Sequence, residues 1–153
     1  MNITFHPLNR TADVAYGANL LETLLSNQIQ VKSVCRGRGI CATCQIKVKG
    51  NPSALSPRTP QEIKTLSLID GACANTRLAC QCRVIGEGVM VELPGGLFVD
   101  SLEQLLEMVG EIAVTDYRHP INGTVMIPKN KILTRSQLTM FKTLTEEISR
   151  ISN

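Results

Sequence analysis

Cys35-Arg36-Gly37-Arg38-Gly39-Ile40-Cys41-Ala42-Thr43-Cys44 sets three cysteines on a glycine-rich run with the spacing C-x5-C-x2-C. A fourth cysteine stands far along the chain, in Arg77-Leu78-Ala79-Cys80-Gln81. Three thiolates on one loop and a fourth from a distant strand make a tetrahedral-sulfur cage, which iron–sulfur clusters and zinc both use. The loop's glycines weigh toward iron. An oxidised two-iron cluster with four thiolates carries a charge of about −2, and inward-pointing backbone N–H groups of a tightly wound loop offset it. Gly37 and Gly39 permit the φ > 0 conformations that such winding needs. Structural zinc usually sits between two C-x2-C knuckles or Cys and His pairs. Here there is one C-x2-C, and neither His6 nor His119 is suitably spaced. The residues thus favour a [2Fe-2S] cluster, with zinc and unligated or disulfide-bonded cysteines as the alternatives.

With these motifs in view, residues 1–95 resemble a two-iron ferredoxin domain. The C-x5-C-x2-C spacing and the Arg-Leu-Ala-Cys-Gln segment are similar to the mitochondrial, adrenodoxin-like class. They are closer still to the ferredoxin domains of bacterial reductive activators and some adenylate cyclases, whose loops read C-G-G-x-G-x-C. Ser56-Pro57, Thr59-Pro60-Gln61-Glu62 and the closing run Val89-Met90-Val91-Glu92-Leu93-Pro94 extend the match. The resemblance implies a β-grasp fold and a cluster held by Cys35, Cys41, Cys44 and Cys80. Arg36 departs from the pattern, standing where the activator-type loop has glycine.

Composition agrees with this reading. A chain of 153 residues holds one domain plus an extension. Trp is absent and aromatics make up 3% of the residues, so the core must be aliphatic. No apolar run approaches a membrane span, and no signal peptide precedes Ile3-Thr4-Phe5. Metal-type cysteine spacing without a secretory signal points to a reducing, cytoplasmic setting. The chain contains no P-loop, no nucleophile–base constellation and no paired carboxylates in sequence reach, which argues for a carrier and against an enzyme. Nothing in it calls for a nucleic-acid partner.

Element signals predict an α+β chain. Residues 2–6 and 11–16 read as strands around a turn at 7–10. Asn19 caps a helix with Leu20, Leu21, Leu24 and Leu25 on one face. Residues 45–49 alternate as a strand that Gly50-Asn51-Pro52 breaks. Thr59 to Glu62 reads as a capping box opening a short helix. Residues 78–85 and 89–93 read as strands around Gly86-Glu87-Gly88. Pro94-Gly95-Gly96 marks the boundary to a small α/β extension, residues 96–153. There Ser101 to Gln104 is a second capping box for an amphipathic helix (Leu102, Leu105, Leu106, Val109) that Gly110 ends. Residues 112–116 and 123–127 look like a strand pair. Thr134 to Gln137 caps a final helix with Leu138, Phe141, Leu144, Ile148 and Ile151 along one stripe. Residues 110–141 weakly resemble a segment that precedes some cyclic-dinucleotide phosphodiesterase domains, and no activity is carried over from it.

Two further cysteines have bland readings. Cys82, two residues beyond Cys80 on an expected strand, points to the same side and reads as a buried small hydrophobe, with a reserve ligand as the alternative. Cys73 sits in a loop with nothing nearby to activate it. Charge sets the chain apart: residues 1–98 hold ten Lys and Arg against six Asp and Glu, and residues 99–153 hold six against seven. Adrenodoxin-like and plant-type ferredoxins are typically acidic. Arg36 and Arg38 inside the cysteine loop either point into water or form a rim for an acidic partner face. Such a rim would raise the potential above the ≈ −400 mV of plant-type ferredoxins.

The sequence therefore describes a soluble one-electron carrier. Its cluster takes an electron from a reductase or photochemical donor and passes it to an acceptor protein. The alternative is a redox-responsive regulatory or assembly protein whose cluster state controls docking through the extension. The extension itself should pack on the ferredoxin body, on a second copy of the chain, or on a partner.

Overall fold

The computed structural model describes residues 1–93 and 95–152; Pro94, in the expected closing run and boundary, lies outside the described residues. Strands β1 (Asn2–His6) and β2 (Arg10–Asp13) form a hairpin. The turn ends at Asn9, whose φ of 50° suits asparagine's tolerance of the left-handed region. Helix α1 (Leu20–Ser26) begins where Asn19 accepts hydrogen bonds from the amides of Leu21 and Glu22. Strand β3 (Gln45–Gly50), helix α2 (Pro60–Leu66), β4 (Thr76–Leu78) and β5 (Val89–Glu92) complete the body. The sheet runs β2-β1-β5-β3-β4, with β1 and β5 parallel at its centre and every other pair antiparallel. Its alternating apolar positions, Ile3, Phe5, Ile46, Val89 and Val91, are buried with Leu20 and Leu24 of α1. This is an α+β, β-grasp arrangement, as the sequence led one to expect.

The body departs from expectation in three places. The second strand stops at Asp13, three residues short. Leu25 does not join the buried face of α1; it is 49% exposed, while Leu20, Leu21 and Leu24 are buried. The expected strand 78–85 ends at Leu78: the Ala79 amide still donates to the Cys44 carbonyl, its partner in register, but the Ala79 carbonyl accepts the Cys82 amide and Ala79–Gln81 winds into a 3-10 turn. The chain then rejoins the body through the Val84 amide and the Ala18 carbonyl.

The extension has its own small sheet, β6 (Leu97–Phe98), β7 (Tyr117–Arg118) and β8 (Val125–Ile127), with β6 parallel and β8 antiparallel to β7. Helices α3 (Leu102–Glu107), α4 (Arg135–Leu138) and α5 (Leu144–Ser152) surround it. Val99, Leu105, Ala113, Ile127, Leu133 and Leu144 form a second core. The observed strand pair is β7 and β8, so its first member is not 112–116. The latter segment turns only Ala113 inward, leaving Ile112 60% and Val114 78% exposed. The final helix is split by a 3-10 turn at Thr139–Phe141, where the Thr139 hydroxyl bonds the Ser136 carbonyl in competition with the helical ladder. Thr134 and Gln137 form the reciprocal capping box. At Ser101 the box opens by one residue, since Gln104 reaches the Asp100 amide. No helix among the described residues is long and apolar enough to cross a membrane.

Candidate metal centre

The run from Ser33 to Cys44 is wound by residues in the left-handed region: Arg36 at φ 58°, Gly37 at 81° and Gly39 at 75°. Arg36, where the activator-type loop has glycine, thus adopts a left-handed conformation that favours glycine, with its side chain in solvent. The winding is pinned from several sides. Ser33 accepts the Gly37 amide on its hydroxyl and the Arg36 amide on its carbonyl. The Thr43 hydroxyl accepts the Val34 amide at 3.1 Å and sits 3.1 Å from Cys41 Sγ. The Thr65 hydroxyl of α2 donates to the Gly39 carbonyl.

Gln81 ties this loop to the segment bearing the fourth cysteine. Its amide nitrogen donates to the Gly37 carbonyl at 3.2 Å and lies 3.7 Å from Cys80 Sγ, while its carbonyl oxygen accepts from the Thr59 hydroxyl. A Cβ on Gly39 would lie 2.8 Å from Gln81 Cδ, so glycine leaves the Gln81 side chain room to lie across the loop.

Cys35, Cys41, Cys44 and Cys80 are all buried and all free. Cys44 and Cys80 bring their sulfurs to 3.5 Å. Hydrogen bonds from Cys41 and then Cys80 hold the Cys35 thiol well below the usual range, and one from Cys80 does the same for Cys44. The partners Cys41 and Cys80 are pushed up by the same contacts and by burial. Through these contacts the four thiols run Cys41–Cys35–Cys80–Cys44, a donor set that can give two thiolates to each of two irons.

The segment carrying Cys80 is anchored by a group that sequence reasoning assigned elsewhere. Glu62, read as the second half of a capping box, keeps only its backbone in that role: the Glu62 amide donates to the Thr59 hydroxyl. Its carboxylate turns inward, fully buried, and accepts Arg77 Nε at 2.7 Å, Arg77 Nη2 at 3.0 Å and the Leu78 amide at 2.9 Å. Burial works against the Arg77 charge, but the hydrogen bonds and charge of Glu62 outweigh it and raise its pKa. The available signal was Arg77 itself, a cation within a short buried strand, which requires a carboxylate partner.

Cys82 parts from Cys80 at the 3-10 turn and lies 3.9 Å from Glu62 Oε1, its thiol pushed up to about 12 by burial. It is fully buried in the same core as Cys44 and Cys80. Cys73 is exposed, beside Asn75 and Thr76.

Comparison with known proteins follows the body of the fold. A "2Fe-2S ferredoxin" of Haemophilus influenzae is 33% identical over 93 residues, covering 61% of this chain and 82% of that protein. The crystal structure of an ISC-like [2Fe-2S] ferredoxin from Pseudomonas putida is similar at 30% identity and a TM-score of 0.57, covering 61% of this chain and 91% of that one. The ferredoxin in the covalent putidaredoxin reductase–putidaredoxin complex is similar at 28% identity and a TM-score of 0.51, covering 61% and 98%. Residues 3–84, more than half of the chain and including all four loop and turn cysteines, match the 2Fe-2S iron-sulfur cluster binding domain, and the chain belongs to that family of [2Fe-2S] proteins.

Proposed function

We propose that Cys35, Cys41, Cys44 and Cys80 hold the cluster and that the protein is a soluble one-electron carrier between a reductase or photochemical donor and an acceptor protein. The observation that carries this reading is the gathering of four free, buried cysteines behind one tightly wound loop, with Cys44 and Cys80 already at 3.5 Å. The cluster supplies reversible one-electron oxidation and reduction when bound. The chain's own groups do the rest. Burial of the four thiols keeps water from the donor set. The Ser33, Thr43, Thr65 and Gln81 contacts fix the loop, so little has to rearrange when its charge changes.

In this reading residues 1–95 are the electron-transfer domain and residues 96–153 an appended module. Arg36 and Arg38 are exposed on the loop, and neither joins an ion pair among the described residues. They form a docking rim for an acidic partner face, and the reductase complex of the similar putidaredoxin supports a reductase as one such partner. Free thiols and metal-type spacing suit a reducing cytoplasm. A second reading, a regulator whose cluster state controls docking through the extension, draws on exposed Ile112 and Val114 of that module.

Visible and EPR spectra of anaerobically purified protein test the assignment. A red-brown protein that yields a one-electron S = ½ signal with dithionite is expected. Cys→Ser changes at each of the four positions should abolish the colour, and changes at Cys73 or Cys82 should retain it. A colourless protein holding one zinc per chain after reconstitution would refute it.

A further inference from the structure

We infer that residues 119–124 of the extension are positioning residues for the cluster loop: a preformed turn seated against Ala42, between Cys41 and Cys44. The inference rests on the ligand assignment above and concerns a segment that lies beyond the family match. The Ala42 amide donates to the Pro120 carbonyl at 2.8 Å. A second bond of 2.8 Å runs from the Asp70 amide, just beyond α2, to the Asn122 carbonyl. The turn therefore bridges the cysteine loop and the helix whose Thr65 already holds Gly39.

The seat is built on both sides. Pro120 and Gly123 are buried, and a Cβ on Gly123 would lie 3.2 Å from Gln45 Nε2 and 3.3 Å from Ile69 Cγ2. Gly123 also has φ 73°, a conformation that favours glycine. The turn is held by its own hydrogen bonds. The Gly123 amide bonds the His119 carbonyl, the His119 amide bonds the Thr124 carbonyl, and Asn122 Oδ1 accepts from both the amide and the hydroxyl of Thr124. Arg118 Nη1 donates to the Gly123 carbonyl at 3.0 Å, and the Ile121 amide donates to His119 Nδ1 at 3.1 Å. Beside it, Lys32 Nζ reaches both the Phe98 carbonyl and Asp100 Oδ2 at 3.0 Å, holding the start of the extension to the segment that enters the loop. Ala42 is fully buried, so its amide needs an acceptor, and the extension supplies it.

Two glycine substitutions separate this role from general stability. Gly123→Ala drives a Cβ into the seat; Gly110→Ala, in the same module at φ 86° with nothing within 4 Å, carries the same backbone strain without the intrusion. In the full-length holoprotein, cluster loss to a chelator is followed by visible absorbance, and exchange of the Ala42 amide by mass spectrometry or NMR. Gly123→Ala should lose its cluster about fivefold faster than Gly110→Ala, the order expected for one net hydrogen bond, with faster Ala42 exchange. Equal rates in the two variants would overturn the inference. Should Gly123→Ala fail to fold, Asn122→Ala, which loosens the turn without a wedge, takes its place with the same expected direction. If the wild-type chain takes up no cluster, the ligand assignment falls, and Ala42 exchange alone decides whether the turn holds the loop.

Discussion

Removing the Glu62 carboxylate tests whether the buried pair with Arg77 organises the segment of Cys80, the proposed fourth ligand. Glu62→Ala strands a guanidinium whose side chain is only 9% exposed and takes the acceptor from the Leu78 amide, two residues before Cys80. Breaking a buried pair from one side costs about 3–5 kcal/mol. For a chain of this size each kcal/mol shifts Tm by roughly 2–4 °C, so a fall of about 6–20 °C is expected. The penalty comes from an uncompensated charge and not from lost attraction alone, so Glu62→Leu combined with Arg77→Met should cost less than Glu62→Ala by itself. Thermal unfolding, followed by far-UV circular dichroism and by visible absorbance on the same samples, measures both effects. In Glu62→Ala the colour should be lost below the temperature at which the backbone melts, because the Cys80 segment loosens first. A Tm within about 2 °C of wild type, or a double variant less stable than the single one, would refute the reasoning.

Further outcomes follow from the same geometry. Contrary to the expectation that nothing nearby activates it, Cys73 has its pKa lowered by hydrogen bonds from Thr76 and Asn75 and by the Lys47 charge, so iodoacetamide should label this exposed thiol first; Cys82, buried and pushed up to about 12, should resist until the fold opens. Peptide mass spectrometry reads the order, and early labelling of Cys82 would contradict its placement. Replacing Arg36 and Arg38 by Gln should lower the potential and slow reduction by a ferredoxin reductase, with the difference shrinking as salt rises. An unchanged potential would mean that both side chains are screened from the cluster. Burial lowers the His119 pKa below its ordinary 6.5, against an opposing pull from Glu147 at 3.2 Å. Its contribution to stability is therefore complete above about pH 6.5 and falls away as pH drops through the lowered value, when the unfolded chain binds the extra proton. Thermal midpoints from pH 7 to 4.5 should show a steeper loss for wild type than for His119→Gln, and parallel curves would exclude His119 as a source.

The body was legible because its signals are local and agree with one another. Asn19 and Thr59 cap the helices they announce, the period-two pattern of β1, β3 and β5 matches the buried face, and the cysteine spacing names its own loop. What escaped was set by partners distant in sequence. Glu62 looked like a capping residue because only the fold brings Arg77 beside it. The strand expected at 78–85 ends where the Ala79 carbonyl takes the Cys82 amide in a 3-10 turn, which removes the strand alternation that would have set Cys80 and Cys82 on one side. In the extension 112–116 reads as a strand, yet it pairs only through a single bridge, Ile112 with Ile132, and the bonds of Ala113 to Lys131 and Asn130. The seat for the 119–124 turn has no signature in the sequence beyond an Asn-Gly pair, which marks a turn without saying what it touches.

The hydrogen bond from Ala42 to Pro120 also imposes an order of events during synthesis. Cys80 emerges forty residues ahead of Pro120, and at ordinary rates of translation those residues take roughly 2–8 s to add. For that interval the nascent chain holds all four cysteines, three of them on a loop whose outer support has not yet been made. A cluster delivered early would meet a looser receptor than one delivered to the finished chain, so the timing of iron–sulfur delivery relative to elongation becomes a property of this protein that a shorter ferredoxin, ending soon after its closing strand, would lack.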